Sequence, residues 1–414
     1  LISADLIIVG AGASGIFAAL AAKEKYPEKK ILILEKTTKA LSKVKISGGG
    51  RCNVTHDWHR VNHLTNFYPR GHKELRNVFS AFSAEDTILW FQNRNVKLKI
   101  EDDGRMFPIT NSSQTIVDCL LNECDKLEIK IVYSTEIDLI EIHDRKFFIR
   151  TKCSKQYFCN KLILAVGGLN TTKGIQLIRS LNLESIETVP SLFSFNIPNS
   201  PLAGLEGLSL ENCEIQISES KFSVSGPIII THWGISGPAV LKLSSFAAEQ
   251  LFHQNYNFKI LINFFPEYNE IQFFEFIQKT LKNNSKIKFY NLKIKAIPSR
   301  LFQRLFSISK ISESKNCADL SKSEIQTLIN LFTKFTLSCS GKTTYKDEFV
   351  TAGGIDLKKI NMKNMEYKTI PGLFVVGEMI NVDGITGGFN FQNAWSTGYI
   401  AGVNSFNNDF NKIN

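Results

Sequence analysis

Gly10, Gly12 and Gly15, followed twenty residues later by Glu35, are the first positions whose spacing implies chemistry. Gly10 permits a sharp turn out of the apolar run Leu6, Ile7, Ile8 and Val9. Gly12 lets backbone approach a pyrophosphate with no Cβ between them, and Gly15 lets a helix pack close to a sheet. With Ala13 and Ser14 they would open a helix whose free N–H groups and positive dipole end favour an anion. Glu35 ends a second apolar run and is placed to accept hydrogen bonds from an adenosine ribose, with Lys36 beside it. It also argues against a 2′-phosphate, because two anions would repel. The spacing implies a dinucleotide held by a strand, turn, helix and strand.

Three further stretches carry groups suited to the same ligand. In ISGGGRCN, Ser47, Gly48, Gly49 and Gly50 can set a run of N–H groups around an anion or flat ring, and Arg51 and Asn53 add side-chain donors. Cys52 either touches the cofactor or is a small buried hydrophobe, and the lack of a partner cysteine favours the second. Ala165, Val166 and Gly167 end a buried strand, and Ile137 opens the segment leading towards it. Near the C-terminus, Gly377 and Glu378 end another strand, where an open α/β sheet presents ligand contacts, and Glu378 is suited to ribityl hydroxyls. Gly387 and Gly388 permit close backbone approach. Phe389 follows, and a helix from about Asn390 to Asn404 would point its N-terminus at the ring of the ligand, where the dipole would stabilise negative charge on a reduced flavin. No metal-ligand cluster is read.

The elements that must position these groups follow from periodicity. Residues 73–95 have helical spacing with Ser83 as an N-cap, Ser112 or Ser113 caps a helix through Cys124, and residues 129–133 resume a buried parallel pattern. The segments IDLIEI, KFFIRT and QYFCNKLILAV alternate as a three-stranded meander that returns to the main sheet. One dinucleotide unit, a meander crossover and a strand ending in glycines form the layout of FAD proteins built like glutathione reductase, rather than of NAD dehydrogenases. The expected fold is α/β, a parallel sheet with β-meander crossover, interrupted by an inserted β-barrel-like and helical domain. The boundaries read as 1–188 with 347–414 for the FAD-binding domain, 189–265 with 337–346 for the barrel-like insert, and 266–336 for a helical subdomain.

At 414 residues and 43% hydrophobic content the chain can hold two or three ordinary cores. No apolar run is long enough to span a membrane, and the first strand begins within a few residues of Leu1, which leaves no room for a signal peptide; a cytoplasmic protein is expected. Eight cysteines include no CxxC, so reduced structural thiols are the default. The net charge of +10 is spread along the chain without a basic run of the kind that marks a nucleic-acid tail, and nucleic acid is not the expected partner.

These stretches together resemble the YhiN/BaiN-like flavoproteins of the aminoacetone oxidase family, within the glutathione reductase superfamily. The likeness rests on GAGASG, ISGGGRCNVT, GRMFP, LAVGG, THWGISGPAVLKLSS, TAGGI and VVGEMINVDGITGGFNFQNAWSTGYIAG, almost end to end. It implies an FAD domain made from both chain ends, with the insert covering the flavin. Departures are a shortened LNTTKG after Gly168, His56 where the family commonly has Asn, Asn381 where it commonly has Asp, and Phe389 in place of Tyr.

The reading that follows is an FAD-dependent oxidoreductase passing hydride between flavin and a small or planar organic substrate such as an unsaturated ketone. No second GxGxxG unit is present, so NAD(P)H either binds transiently at the flavin face or is replaced by another donor. His232 in THWGISGP is the candidate acid or base, because its ordinary pKa lies near neutrality; the competing role is to fix that turn by hydrogen bonds. The alternatives are a flavin-dependent tRNA-modifying enzyme and a non-catalytic FAD-binding protein. Sequence leaves substrate, direction of electron flow and oligomeric state open.

Overall fold

The apolar run that precedes the glycines is buried on both faces because β1 (Ile2–Val9) lies inside a parallel sheet, paired with β2 (Ile31–Leu34) on one edge and Gln156–Leu164 on the other. These relations come from a computed structural model that describes residues 2–57, 61–170, 172–294, 297–343 and 350–407. The parallel order runs Lys130–Val132, β2, β1, Gln156–Leu164, Leu373–Val375, so the last strand comes from the far end of the chain. Ile137–His143 and Lys146–Thr151 form an antiparallel meander that joins the sheet through Gln156–Leu164. The parallel sheet with a β-meander crossover expected from the sequence is therefore present, within a mixed sheet. α1 (Ala13–Lys25) crosses from β1 to β2, and Ser83 caps Ala84–Gln92 in a reciprocal box with Asp86.

The C-terminal helix Phe389–Asn404 packs along α1 at close range. A Cβ on Gly398 would lie 2.4 Å from the Ser14 carbonyl oxygen, and one on Gly402 would lie 2.3 Å from that of Ala18. Only hydrogen fits at these two positions, and that is what brings the two ends of the sequence onto one element.

The chain divides into two compact units, Leu1–Ser191 with Lys346–Asn414, and Leu192–Tyr345. The boundaries read at 346 and 347 lie outside the described residues, as does Thr171 in the shortened LNTTKG loop. Within the second unit a seven-stranded antiparallel sheet runs in the order Phe335–Ser340, Asn257–Asn263, Ser209–Ile217, Ser223–Thr231, Gly234–Ser236, Ser194–Asn196, Lys342–Thr343. The helices Glu270–Asn283, Ser299–Ser309 and Lys322–Thr333 share one apolar core with that sheet, through Phe265, Phe273, Phe302 and Phe332 among others. Each such side chain fully buried contributes about 1.5–3 kcal/mol. Two short helices, Pro238–Phe246 and Ala248–His253, stand where sequence reading saw only strands and turns. Gly237-Pro238 looks like a turn, but Pro fits the first position of a helix, where its missing N–H is no loss.

Candidate functional site

The turn after β1 is held by Glu35. Its Oε2 accepts from the Ala11 N–H at 2.8 Å, and its Oε1 accepts from the Thr37 N–H at 2.8 Å and hydroxyl at 2.7 Å. A carboxylate has roughly four acceptor directions, so about one is left for a ribose hydroxyl. The buried acid thus fixes the shape of the glycine turn as well as ending β2. Gly10 adopts φ +109°, a conformation strained for any residue with a Cβ. Gly12 stands at the N-cap of α1 with no side-chain cap, and a Cβ there would meet nothing within 4 Å, so the helix N-terminus is open on that side.

The ends of the neighbouring strands close around this turn. Gly377 donates to the Thr397 hydroxyl at 3.0 Å, and its carbonyl accepts from Asn393 Nδ2 at 3.3 Å. Glu378 accepts at Oε1 from the Thr351 N–H at 3.2 Å, and its Oε2 pairs with Lys43 Nζ at 2.7 Å. A Cβ on Gly168 would fall 2.5 Å from Thr351 Oγ1 and 3.0 Å from Glu378 Oε1. Two polar atoms in this ring, Thr351 Oγ1 and Asn393 Oδ1, are buried without a hydrogen-bond partner among the described residues. Buried polar atoms are rarely left so, and their place beside Gly377 and Glu378 suits the hydroxyl-rich and phosphate-rich chain of FAD. The residues present fit the cofactor.

The ISGGGRCN stretch, expected as a loop, is a helical turn within Ser42–Gly50 that breaks where Ser47 is extended and Gly48 and Gly49 are left-handed. Arg51, expected as a ligand donor, pairs with Glu101 at 2.6 Å and lies 4.1 Å from the centre of the Phe107 ring. Cys52 is fully buried, and that burial pushes its thiol up to about 12, which makes it an inert small hydrophobe. With its amide oriented as its neighbours require, Asn53 accepts from the Gly388 N–H at 2.9 Å and donates to the Thr55 carbonyl at 3.0 Å. Asn390 closes the glycine-rich DGITGG turn by a reciprocal pair with Gly384, both bonds 2.8 Å. The polar residues of the C-terminal helix act similarly: Gln392, Trp395 and Ser396 bond to Ser83 and Thr55, to Val54, and to Phe82 respectively.

Sequence reading missed a buried clasp on the same turn. Asp383, fully buried, takes both ends of the Arg70 guanidinium and a hydrogen bond of 2.8 Å from the Ser191 hydroxyl. Asp383 stood inside a recognised motif, but no local signal marks Arg70 or Ser191.

Two of the departures from the family pattern touch each other. The rings of His56 and Phe389 stack with centroids 5.0 Å apart and planes 15° apart, beside Phe67. Burial holds the His56 imidazole below its ordinary pKa, opposed by the Asp57 carboxylate and the Asp103 carbonyl. The unfolded chain therefore binds a proton more readily than the folded one as pH falls below about 6.5. Stability is full above that value and falls as pH drops towards the folded pKa. Urea titrations of wild type and His56→Asn between neutral and mildly acid pH should show a shallower loss in the variant; equal slopes would remove His56 from the explanation.

Of the remaining residues singled out from sequence, Lys36 is exposed and Ile137 is half-buried at the start of the meander. His232 lies in the other unit, exposed, in the turn between Ser223–Thr231 and Gly234–Ser236. The nearby Glu206 carboxyl is held below its usual range chiefly by the Gly204 N–H, with the His232 charge contributing.

A single dinucleotide turn, a meander crossover and a returning C-terminal helix closing on both define an FAD-binding Rossmann-type flavoprotein of the oxidoreductase class. A model of the HI0933-like protein Rossmann domain matches residues 4–404, and the chain belongs to that family. Ribosomal RNA dihydrouridine synthase of Haemophilus influenzae is 28% identical over 404 residues, covering 95% of this chain and 96% of that protein. The 3-dehydro-bile acid delta(4,6)-reductase of Clostridium scindens is 25% identical over 403 residues, 95% of this chain and 97% of that one. Among solved structures, 3-ketosteroid-delta4-(5alpha)-dehydrogenase from Rhodococcus jostii RHA1 aligns with a TM-score of 0.51 at 12% identity, covering 98% and 97% of the two chains; it shares the fold. No helix among the described residues is long and apolar enough to cross a membrane.

Proposed function

We propose that this protein is an FAD-dependent reductase that saturates a carbon–carbon double bond conjugated to a carbonyl. The observation carrying this reading is that two relatives named for different substrates, a bile acid and ribosomal RNA, match nearly the whole chain and share one bond type. A dienone and the C5–C6 bond of uracil both accept hydride at the carbon β to a carbonyl and a proton at the α carbon. When bound and reduced, FAD supplies the hydride. The protein's part is to hold the cofactor through the Gly10 turn, Glu35, Gly377 and Glu378, and to keep Thr351 and Asn393 available to it. His232 is the proposed proton source. Uridine in RNA is the particular substrate favoured, because the RNA-directed relative is the more similar of the two.

Anaerobic NADH and NADPH should bleach the flavin, and the reduced protein should reoxidise on adding a conjugated enone or a uridine-containing RNA. Bleaching followed by reoxidation with neither acceptor would reject the proposed reaction, and unchanged turnover in His232→Gln would remove that residue. A flavin that neither nicotinamide bleaches would place the donor elsewhere.

A further inference from the structure

We infer that the second unit carries an RNA-binding surface formed by residues 276–294 and 297–312 and the cavity beside them. This rests on the reading of the substrate as uridine in RNA. Residues 276–312 contain nine lysines and arginines and not one acid. At the chain's frequency of 39 acids in 414 residues, about three would be expected there.

The fold turns the stretch outward. Glu270–Asn283, the turn Phe289–Asn291 and Ser299–Ser309 are joined on their inner side by Phe289, whose ring lies 5.5 Å from Phe302 and 5.8 Å from Phe306. Lys279, Lys282, Lys286, Lys288, Lys293 and Lys310 are exposed and form no ion pair among the described residues. The two arginines differ, since Arg300 and Arg304 donate to the backbone carbonyls of Gly204 and Pro201. The apolar face of Ser299–Ser309 is buried, with Leu301, Phe302, Leu305 and Phe306 all in the core, so this helix has no apolar face left to enter a lipid surface.

A cavity of about 640 Å³ opens beside these lysines. Tyr290, Asn291, Lys293 and Gln303 line one side, and Glu211 and Glu267 also reach it. The volume is ordinary for a small-ligand site. An aromatic ring, two amides and two carboxylates are the groups that stack on an unpaired base and read the donors on its edge, while the lysines hold the phosphates that follow. A phosphate alone would be repelled by the two glutamates, whereas a base presenting N–H groups would not.

The test uses the full-length holoprotein, a uridine-looped RNA hairpin and fluorescence anisotropy across a salt series. Replacing Lys279, Lys282, Lys286, Lys288 and Lys293 together by Gln should weaken binding at least tenfold at low salt. It should also flatten the log-affinity against log-salt slope by roughly 3–4. Tyr290→Ala should keep the slope and lose about tenfold in affinity. A control replacing Lys130, Lys146, Lys155 and Lys363 should change neither by a comparable amount. If wild type binds the hairpin and the five-lysine variant matches it, this surface is wrong while the RNA reading stands. Wild type that fails to bind at low salt, yet still reduces an enone, would sink both the surface and the RNA reading but not the reductase. Binding to phosphatidylserine vesicles in place of RNA would also overturn the proposal.

Discussion

Asp383→Ala should lose about 3–5 kcal/mol of stability and release FAD at a much lower urea concentration than wild type. The carboxylate is fully buried, and the Arg70 side chain that it holds is only 11% exposed. Removing one partner leaves the other charge without compensation in a poorly solvated site, so the cost exceeds what the pair itself contributes. A loss of that size is a fifth or more of the stability of a typical domain, about 5–15 kcal/mol. The location adds a functional consequence. Asp383 begins the DGITGG turn, and Ser191, which donates to it alongside Arg70, is the last residue before the chain leaves the FAD-binding unit. The clasp therefore ties the exit point of the insert to the turn that precedes the C-terminal helix. Ser191→Ala should cost about 1.5–3 kcal/mol, the range for a hydrogen bond to a charged group. Replacing Arg70 by Met and Asp383 by Leu together should recover much of the loss, because an apolar pair avoids the desolvation penalty. If the urea midpoint of flavin release in Asp383→Ala stays at the wild-type value, the clasp does not hold the turn.

The half of the molecule around Gly10 was legible in sequence because its constraints are local. A turn that needs φ near +109° at Gly10 and an open N-cap at Gly12 writes itself into consecutive positions, and the buried parallel strands on either side appear as unbroken apolar runs. What sequence hid is long-range pairing. Lys43 and Glu378 are 335 residues apart, and Ser191 and Asp383 are 192 apart; no periodicity records either contact. Arg51 has partners that its local sequence does not show. Its position after three glycines suggested a ligand donor, but the structure binds it to Glu101 and the Phe107 face. Glu35 was read for the ribose; the structure shows its carboxylate holding the backbone of Ala11, a role that its spacing could not reveal. In the insert, counting cations along the whole chain concealed the stretch 276–312, whose mark is nine lysines and arginines with no acid among them.

Substituting Gly12 and Gly15 separately by Ala should part the cofactor's requirement from the fold's. Gly12 sits at φ −82°, ψ −173°, a conformation any residue adopts, and a Cβ there meets no protein atom within 4 Å. Gly12→Ala should therefore melt like wild-type apoprotein. Its methyl group would stand where the backbone must approach the pyrophosphate, and losing one or two charge-assisted hydrogen bonds should weaken FAD binding roughly 10–100-fold. Gly15 is the reverse case. A Cβ there would lie 2.0 Å from the Gly10 carbonyl oxygen and 3.2 Å from the Ala165 Cβ, so α1 would have to move away from the sheet. Overpacking of this kind costs about 3 kcal/mol, and Gly15→Ala should lower apoprotein stability and FAD affinity together. Thermal melts of the apoproteins and fluorescence titration with FAD distinguish the two. If Gly12→Ala melts normally and still binds FAD at the wild-type affinity, the pyrophosphate does not sit on this turn, and the placement of the cofactor at the N-terminus of α1 fails.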